Sequence, residues 1–208
     1  MEDTHYWYSD EKEVRDQYWN AEAGQVVVDI GSHIGSYSVP ALQAGATVYA
    51  VDPNVSRLVQ LREIWDGDPS RLITINRALA AAGGYTPQFR FDLNASDYRD
   101  HHAPEDARWS TLDELAVEYD FRRLDWVKMD VEGAELSVLT GGKQTLARFH
   151  PSLLIEAHDR VYPFVRAMGS QAQCQELLEG LGYEVTVVPY EGHINTVDRD
   201  FLFCQVPA

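Results

Sequence analysis

The chain has 208 residues, 45% of them hydrophobic, with 17 basic against 33 acidic side chains and a net charge of -16. That length suits one domain able to bury a core without staples, and the charge disfavours a phosphate backbone, so nucleic acid is not expected as a partner. No apolar run nears the ~20 residues of a membrane span, the acidic start MEDTHYWYSDEKEVRD does not read as a signal peptide, and the two cysteines, far apart in sequence, suit a reducing cytoplasm.

Taken in chain order, the first feature is a crowd of aromatics, Tyr6, Trp7, Tyr8, Tyr18 and Trp19. They read as an N-terminal segment, residues 1–24, that packs on the rest and meets an apolar or sugar ligand at its edge as a cap. The apolar run QVVVDI (25–30) predicts a strand covered on both faces. A turn through Gly31 and Gly35 follows, then a helix with Pro40 in or beside its first turn, where the missing N–H costs little. TVYAVD (47–52) is a second strand, and Asn54 is a good N-cap for a helix with Val55, Leu58, Val59 and Arg62 on one face. RLITIN (71–76) is a third strand. The run SDYRDHHAPED (96–106), with His101 and His102, reads as a solvated loop and a lid over a cleft rather than a metal site.

Thr111 and Glu114 have the spacing of a capping box. DWVKMDV (125–131) and SLLIEA (152–157) are two more strands, separated by GAELSVLTGG, a helix that starts after Glu132 and stops at a glycine pair. Cys174, Leu177, Leu178 and Leu181 recur at helical spacing, which makes Cys174 core. YEVTVVP and DFLFCQV are two strands joined by a polar loop, hence an antiparallel pair. Alternating β and α predicts a doubly wound parallel sheet, and a terminal hairpin added to it is the arrangement of the class I methyltransferases. The expected fold is therefore α/β and Rossmann-like, a mostly parallel seven-stranded sheet with a C-terminal antiparallel hairpin, in one domain over residues 1–208.

Open sheets of this kind bind ligands outside the carboxyl ends of their strands, which directs attention to Asp29–Gly35, Asp52–Asn54, Asn76, Asp130–Glu135 and Glu156–Asp159. The glycine turn reads Asp29-Ile-Gly31-Ser-His-Ile-Gly35, not the G-x-G-x-x-G of dinucleotide sites. His33 stands where the second glycine belongs and would crowd a pyrophosphate. S-adenosylmethionine has none, and the carboxylate of its amino-acid end can sit at the amides of a helix start while Asp29 meets its ammonium. Asp52, 21 residues after Gly31, suits the two ribose hydroxyls. A bland alternative is that both glycines serve only the turn.

The stretches VVVDIGSHIGSYS, STLDELAVEY, LDWVKMDVEGAELSVLTGG and PSLLIEAH, in this order over roughly residues 25 to 159, resemble the FkbM-type S-adenosylmethionine-dependent methyltransferases. The distinctive block is K-x-D-x-E-G-x-E at Lys128, Asp130, Glu132, Gly133 and Glu135. The resemblance implies a class I fold and O-methylation of a hydroxyl on a small metabolite or sugar. By motif position, it implies that Asp29, Gly31 and Gly35 hold the methionine part, Asp52 the ribose, and that Asn76 lies near the adenine. Ser32, His33 and Asn54 complete the expected cofactor-binding set.

Four polar residues converge on the cleft: Asp130 and Glu132 after the fourth strand, Glu156 and His158 on or after the fifth. His158 is the preferred general base, with Glu156 orienting it or serving as base, and Asp130 and Glu132 holding acceptor hydroxyls or facing the cofactor amine. Asp130 is taken as buried in an apolar strand, where an unpaired acid is costly, and Glu135 as a helix cap. A divalent ion such as magnesium on Asp130 and Glu156 is the less favoured alternative. Competing readings are a nicotinamide-dependent oxidoreductase, disfavoured by His33, and a non-catalytic nucleoside-binding module. The excess of acid, with lysine only at Lys12, Lys128 and Lys143, also fits a saline cytoplasm.

Overall fold

The apolar runs of the sequence become the strands of a seven-stranded sheet. The computed structural model describes residues 12–81, 107–158, 170–190 and 199–207. Helix α1 (Lys12–Tyr18) leads to β1 (Val26–Ile30), α2 (Ser38–Gln43), β2 (Thr47–Val51) and α3 (Val55–Ile64). Then follow β3 (Leu72–Ile75), the short β4 (Ala78–Leu79) and β5 (Trp109–Ser110), α4 (Leu112–Glu118) and β6 (Trp126–Met129). Helices α5 (Glu135–Gly141) and α6 (Lys143–Phe149), strand β7 (Ser152–Ala157), helix α7 (Gln171–Gly180) and the hairpin strands β8 (Glu184–Tyr190) and β9 (Arg199–Gln205) complete the order.

The sheet runs β3-β2-β1-β6-β7-β9-β8. Strands β3, β2, β1, β6 and β7 are parallel, in the register Val28 against Tyr49 and Val127 against Leu153. Strand β9 lies antiparallel to both β7 and β8. The fold expected from the alternating pattern is the fold observed. Strand order reverses at β1, which feeds β2 on one side and neighbours β6 on the other, so the crevice opens at the ends of these strands. The pair β4–β5 was not foreseen, since two-residue strands carry no periodicity to read.

Core side chains cover both faces. One cluster gathers Val28, Ile30, Met129, Leu139 and Leu153 with Cys174; the other gathers Val27, Val48, Leu42, Leu154 and Phe201. Cys174 is thus core, as expected. The capping box at Thr111 and Glu114 forms, and the Asn54 side chain accepts from the Ser56 amide at the start of α3. Pro40 is the third residue of α2, still within its first turn.

Of the N-terminal aromatics, Tyr6, Trp7 and Tyr8 lie outside the described residues, as do His101 and His102. Trp19 packs 5.1 Å from Trp126 and 5.5 Å from Tyr37, ring centre to ring centre, and its Nε1 donates to the Tyr37 carbonyl at 3.2 Å. Burying a side chain of this size stabilises by roughly 2–3 kcal/mol. Tyr18 packs at a tilt against Phe203, 5.2 Å between ring centres, so this end of the segment is structural packing that fastens α1 beside the site.

Candidate functional site

A cavity of about 290 Å³ opens at the carboxyl ends of β1, β2, β6 and β7. Its floor is the turn after β1. Gly31 and Gly35 have φ of +77° and +99°, in the region that favours glycine. A Cβ on Gly31 would stand 1.7 Å from the Asp130 carbonyl oxygen, and one on Gly35 would stand 2.3 Å from Leu61 Cδ1. Both glycines therefore answer to backbone and packing. Gly31 brings the ends of β1 and β6 together, while Gly35 lies away from the cavity wall. His33 also sits at positive φ, +49°, and its amide donates to Asp52 Oδ2 at 3.0 Å.

Two buried carboxylates flank this turn. Asp52 Oδ1 accepts the Asn54 amide at 2.7 Å, and Arg57 Nη1 lies 3.9 Å from Oδ2. Burial raises the Asp52 pKa, and those hydrogen bonds and Arg57 partly offset it. Each oxygen keeps room for a further donor, because a carboxylate offers about four acceptor sites. Asp29 accepts the Ser38 hydroxyl at 2.6 Å. Burial pushes its pKa up to about 6, against the pull of the Ser38 hydrogen bond and of Lys128. Ser32 Oγ is buried and has no hydrogen-bond partner among the described residues.

Two residues of the expected cofactor set have partners within the fold. The Asn54 side chain is occupied as the α3 cap. Asn76 is exposed, and its Nδ2 donates to the carbonyls of Asp52 and Pro53 at 3.1 and 2.8 Å, pinning that turn from outside. Neither lines the cavity; Arg77, Leu79 and Trp109 do so at this end. Trp109 sits on β5, and the short β4–β5 pairing that brings it here left no mark in the sequence pattern.

The other end is acidic. Asp130, Glu132 and Glu156 line it. Asp130 is not inside the strand, as expected, but one residue beyond β6, with its side chain 33% exposed. Glu132, at φ +52°, is 25% exposed. His158 is buried behind these acids. Its Nε2 lies 3.4 Å from Glu156, 3.5 Å from Glu132 and 3.6 Å from Asp130, and its Nδ1 lies 2.7 Å from Glu135 Oε1. Burial alone would lower the His158 pKa. The Glu135 and Glu156 carboxylates outweigh it and hold the imidazole well above its ordinary 6.5. His158 thus lies behind the cavity lining, held between Glu135 and Glu156.

Glu135 is more than a helix cap: it is buried, accepts the Gly133 amide at 3.0 Å and orients His158. That role was missed because residues 135 and 158 meet only through the pairing of β6 with β7. Lys128, on β6, was noted in the motif without a role. It is buried, with Nζ 3.9 Å from Glu156 Oε2 and 4.5 Å from the centre of the Tyr37 ring.

The site suits a ligand with ribose hydroxyls at Asp52 and an ammonium at Asp29. Carboxylates at the far end suit a hydroxyl that must lose a proton. Asp130, Glu156 and His158 also offer donor atoms within 4.8 Å of one another, a mixed oxygen and nitrogen set that can hold a divalent ion once His158 is deprotonated.

Three comparisons bear on these features. The methyltransferase FkbM domain family matches residues 29–185. A hexuronic acid methyltransferase, AglP, of Haloferax volcanii is 28% identical over 148 residues, which is 69% of this chain but only 60% of that protein. Among solved structures, the methyltransferase FkbM of Methylobacillus flagellatus superposes with a TM-score of 0.56 at 17% identity, covering 88% of this chain and 43% of that one. The magnesium protoporphyrin IX methyltransferase of Synechocystis, solved with S-adenosylmethionine bound, gives 0.52 at 18% identity over 96% and 74% of the two chains. At such identities the superpositions speak for the fold alone.

Proposed function

The chain belongs to the FkbM family of S-adenosylmethionine-dependent methyltransferases, and from that premise we propose that it methylates a hydroxyl oxygen of a small metabolite or sugar. The observation that carries this reading is one cavity with buried Asp29 and Asp52 at one end and three carboxylates at the other. The cofactor supplies a methyl group on a sulfonium, already activated for transfer. Asp52 would hold the ribose, Asp29 the ammonium, and Ser32 Oγ offers a polar group with no hydrogen-bond partner among the described residues. His33 joins through its backbone, by fixing Asp52.

The remaining work belongs to the acceptor. An oxygen must be held in place, which is a matter of proximity, and its proton must be taken by a group within hydrogen-bond reach. Asp130 and Glu132, partly exposed in the wall, are the proposed acceptors of that proton. Glu156 lies between Lys128 and His158 and orients the group. His158 holds the acids together as their shared cation. Sugar as the acceptor class draws on the hexuronic acid relative, which covers only part of that protein.

A small-molecule acceptor is also consistent with the acidic composition. Among the described residues no helix is long and apolar enough to cross a membrane, and the buried thiols of Cys174 and Cys204 suit a reducing cytoplasm, where we place the protein.

Calorimetry with S-adenosylhomocysteine and with NAD tests the cofactor half: the first is expected to bind and the second not. Transfer of labelled methyl from S-adenosylmethionine to a panel of sugars and uronic acids, with amines as controls, tests the acceptor half. Label on amines alone would refute O-methylation.

A further inference from the structure

Helix α1 precedes residue 29, where the family match begins, yet it places a cation in the cavity. Arg15 is 8% exposed and lines the same cavity as Asp29, Ser32, Ser36 and Tyr37. Its Nη1 is 3.5 Å from the Ser36 carbonyl, and its guanidinium carbon is 6.0 Å from the centre of the Tyr37 ring. Trp19, packed on Tyr37 and Trp126, fastens the end of this helix.

The cofactor's amino-acid end carries a carboxylate as well as an ammonium. The turn after β1 was expected to meet that carboxylate with amides at a helix start. Several of those amides already have partners. The helix after the turn has six residues and begins only at Ser38. The amides of Gly31 and Ser32 donate to the Val51 carbonyl, that of His33 to Asp52, and that of Gly35 to the Ser32 carbonyl. With these four amides engaged, a cationic side chain beside the turn is well placed to supply the counter-charge.

The cavity wall offers four cations among the described residues. Arg15 hydrogen-bonds the turn that carries Ser32, through the Ser36 carbonyl at 3.5 Å. We propose that Arg15, with the Ser32 hydroxyl, binds the carboxylate of the cofactor's amino-acid end. A guanidinium presents a planar fork of donors matched to a carboxylate. Ser32 Oγ, buried without a hydrogen-bond partner among the described residues, supplies one more donor. Asp29 then meets the ammonium, so the subsite is complementary to a zwitterion. This rests on the cofactor reading above, and it makes the N-terminal segment part of the cofactor site as well as a candidate cap for the acceptor.

Two ligands separate the proposal from its premise: S-adenosylhomocysteine, which has the amino-acid end, and 5′-methylthioadenosine, which lacks it. Titration calorimetry on the full chain is expected to show Arg15→Ala weakening the first by about tenfold or more and the second by less than about twofold. Arg15→Lys falls between, and Ser32→Ala gives a smaller loss of the same selectivity. Equal losses for both ligands, or none, would overturn the proposal. If the unaltered protein bound neither ligand, the cofactor reading itself would fall. Should Arg15→Ala not fold by circular dichroism, Arg15→Lys and Ser32→Ala carry the same comparison.

Discussion

Nδ1 of His158 lies 2.7 Å from Oε1 of Glu135, with both side chains buried. The folded pKa of His158 is raised above 6.5, because the Glu135 and Glu156 carboxylates overcome the effect of burial. A raised folded value means that the folded state holds the proton more tightly than the unfolded chain does. The stabilisation is fully present below about pH 6.5 and is lost as pH rises through the folded value. Melting curves from pH 6 to 10 are expected to show a decline that His158→Gln flattens. An identical slope in the variant would mean that the pair contributes nothing.

Asp29 behaves in the opposite sense to an ordinary paired acid. Its folded pKa is raised from 3.8 to about 6 by burial, so ionising it opposes folding. The penalty is absent below pH 3.8, grows as pH rises, and is complete above about 6. Asp29→Asn is expected to stabilise the free protein at pH 7 by about 1–3 kcal/mol, with the gain shrinking as pH falls toward 4. The same variant should lose affinity for S-adenosylhomocysteine, the usual conflict between stability and a binding site. A variant less stable at pH 7 would contradict this account.

Gly31 admits no side chain. Its φ is +77° and a Cβ would meet the Asp130 carbonyl at 1.7 Å, backbone against backbone, with no flexible group to yield. Gly31→Ala should cost more than about 2 kcal/mol or prevent folding, as read by chemical denaturation. Gly24→Ala is the control: its φ is also positive, at +79°, but nothing lies within 4 Å of its Cβ, so it should cost less.

Binding and turnover should separate along the cavity. Asp52→Ala removes the acceptor of the His33 and Asn54 amides as well as the proposed ribose contact. It is expected to weaken S-adenosylhomocysteine binding by about ten- to a hundredfold. Asp130→Asn, at the acidic end, is expected to leave that affinity within about twofold and to lower kcat by about tenfold or more. An unchanged kcat in Asp130→Asn would remove its assigned role.

The cluster of Asp130, Glu156 and His158 poses a separate question of metal use. An ion there would compete with the His158 proton, so manganese or magnesium binding, read by calorimetry, should strengthen as pH rises. Activity that survives EDTA unchanged, with no binding heat at pH 8, leaves His158 as the cation of the cluster.

By itself the sequence determined the seven strands of the main sheet, the caps at Asn54 and Thr111, the turn at Gly31 and the family motif. These are encoded locally, in apolar runs, residues that satisfy free amides, and backbone angles that glycine adopts without strain. Tertiary structure alone decided what each polar side chain faces. Asn76 has the residue type and position of a ligand contact but points to the Asp52 and Pro53 carbonyls. Glu135 looks like a helix cap but meets His158 only because β6 and β7 pair. Arg15 enters the cavity because Trp19 fastens its helix against Tyr37 and Trp126. Such contacts join residues distant in the chain, and no local period or spacing records them; only the packing of the sheet and its helices brings them together.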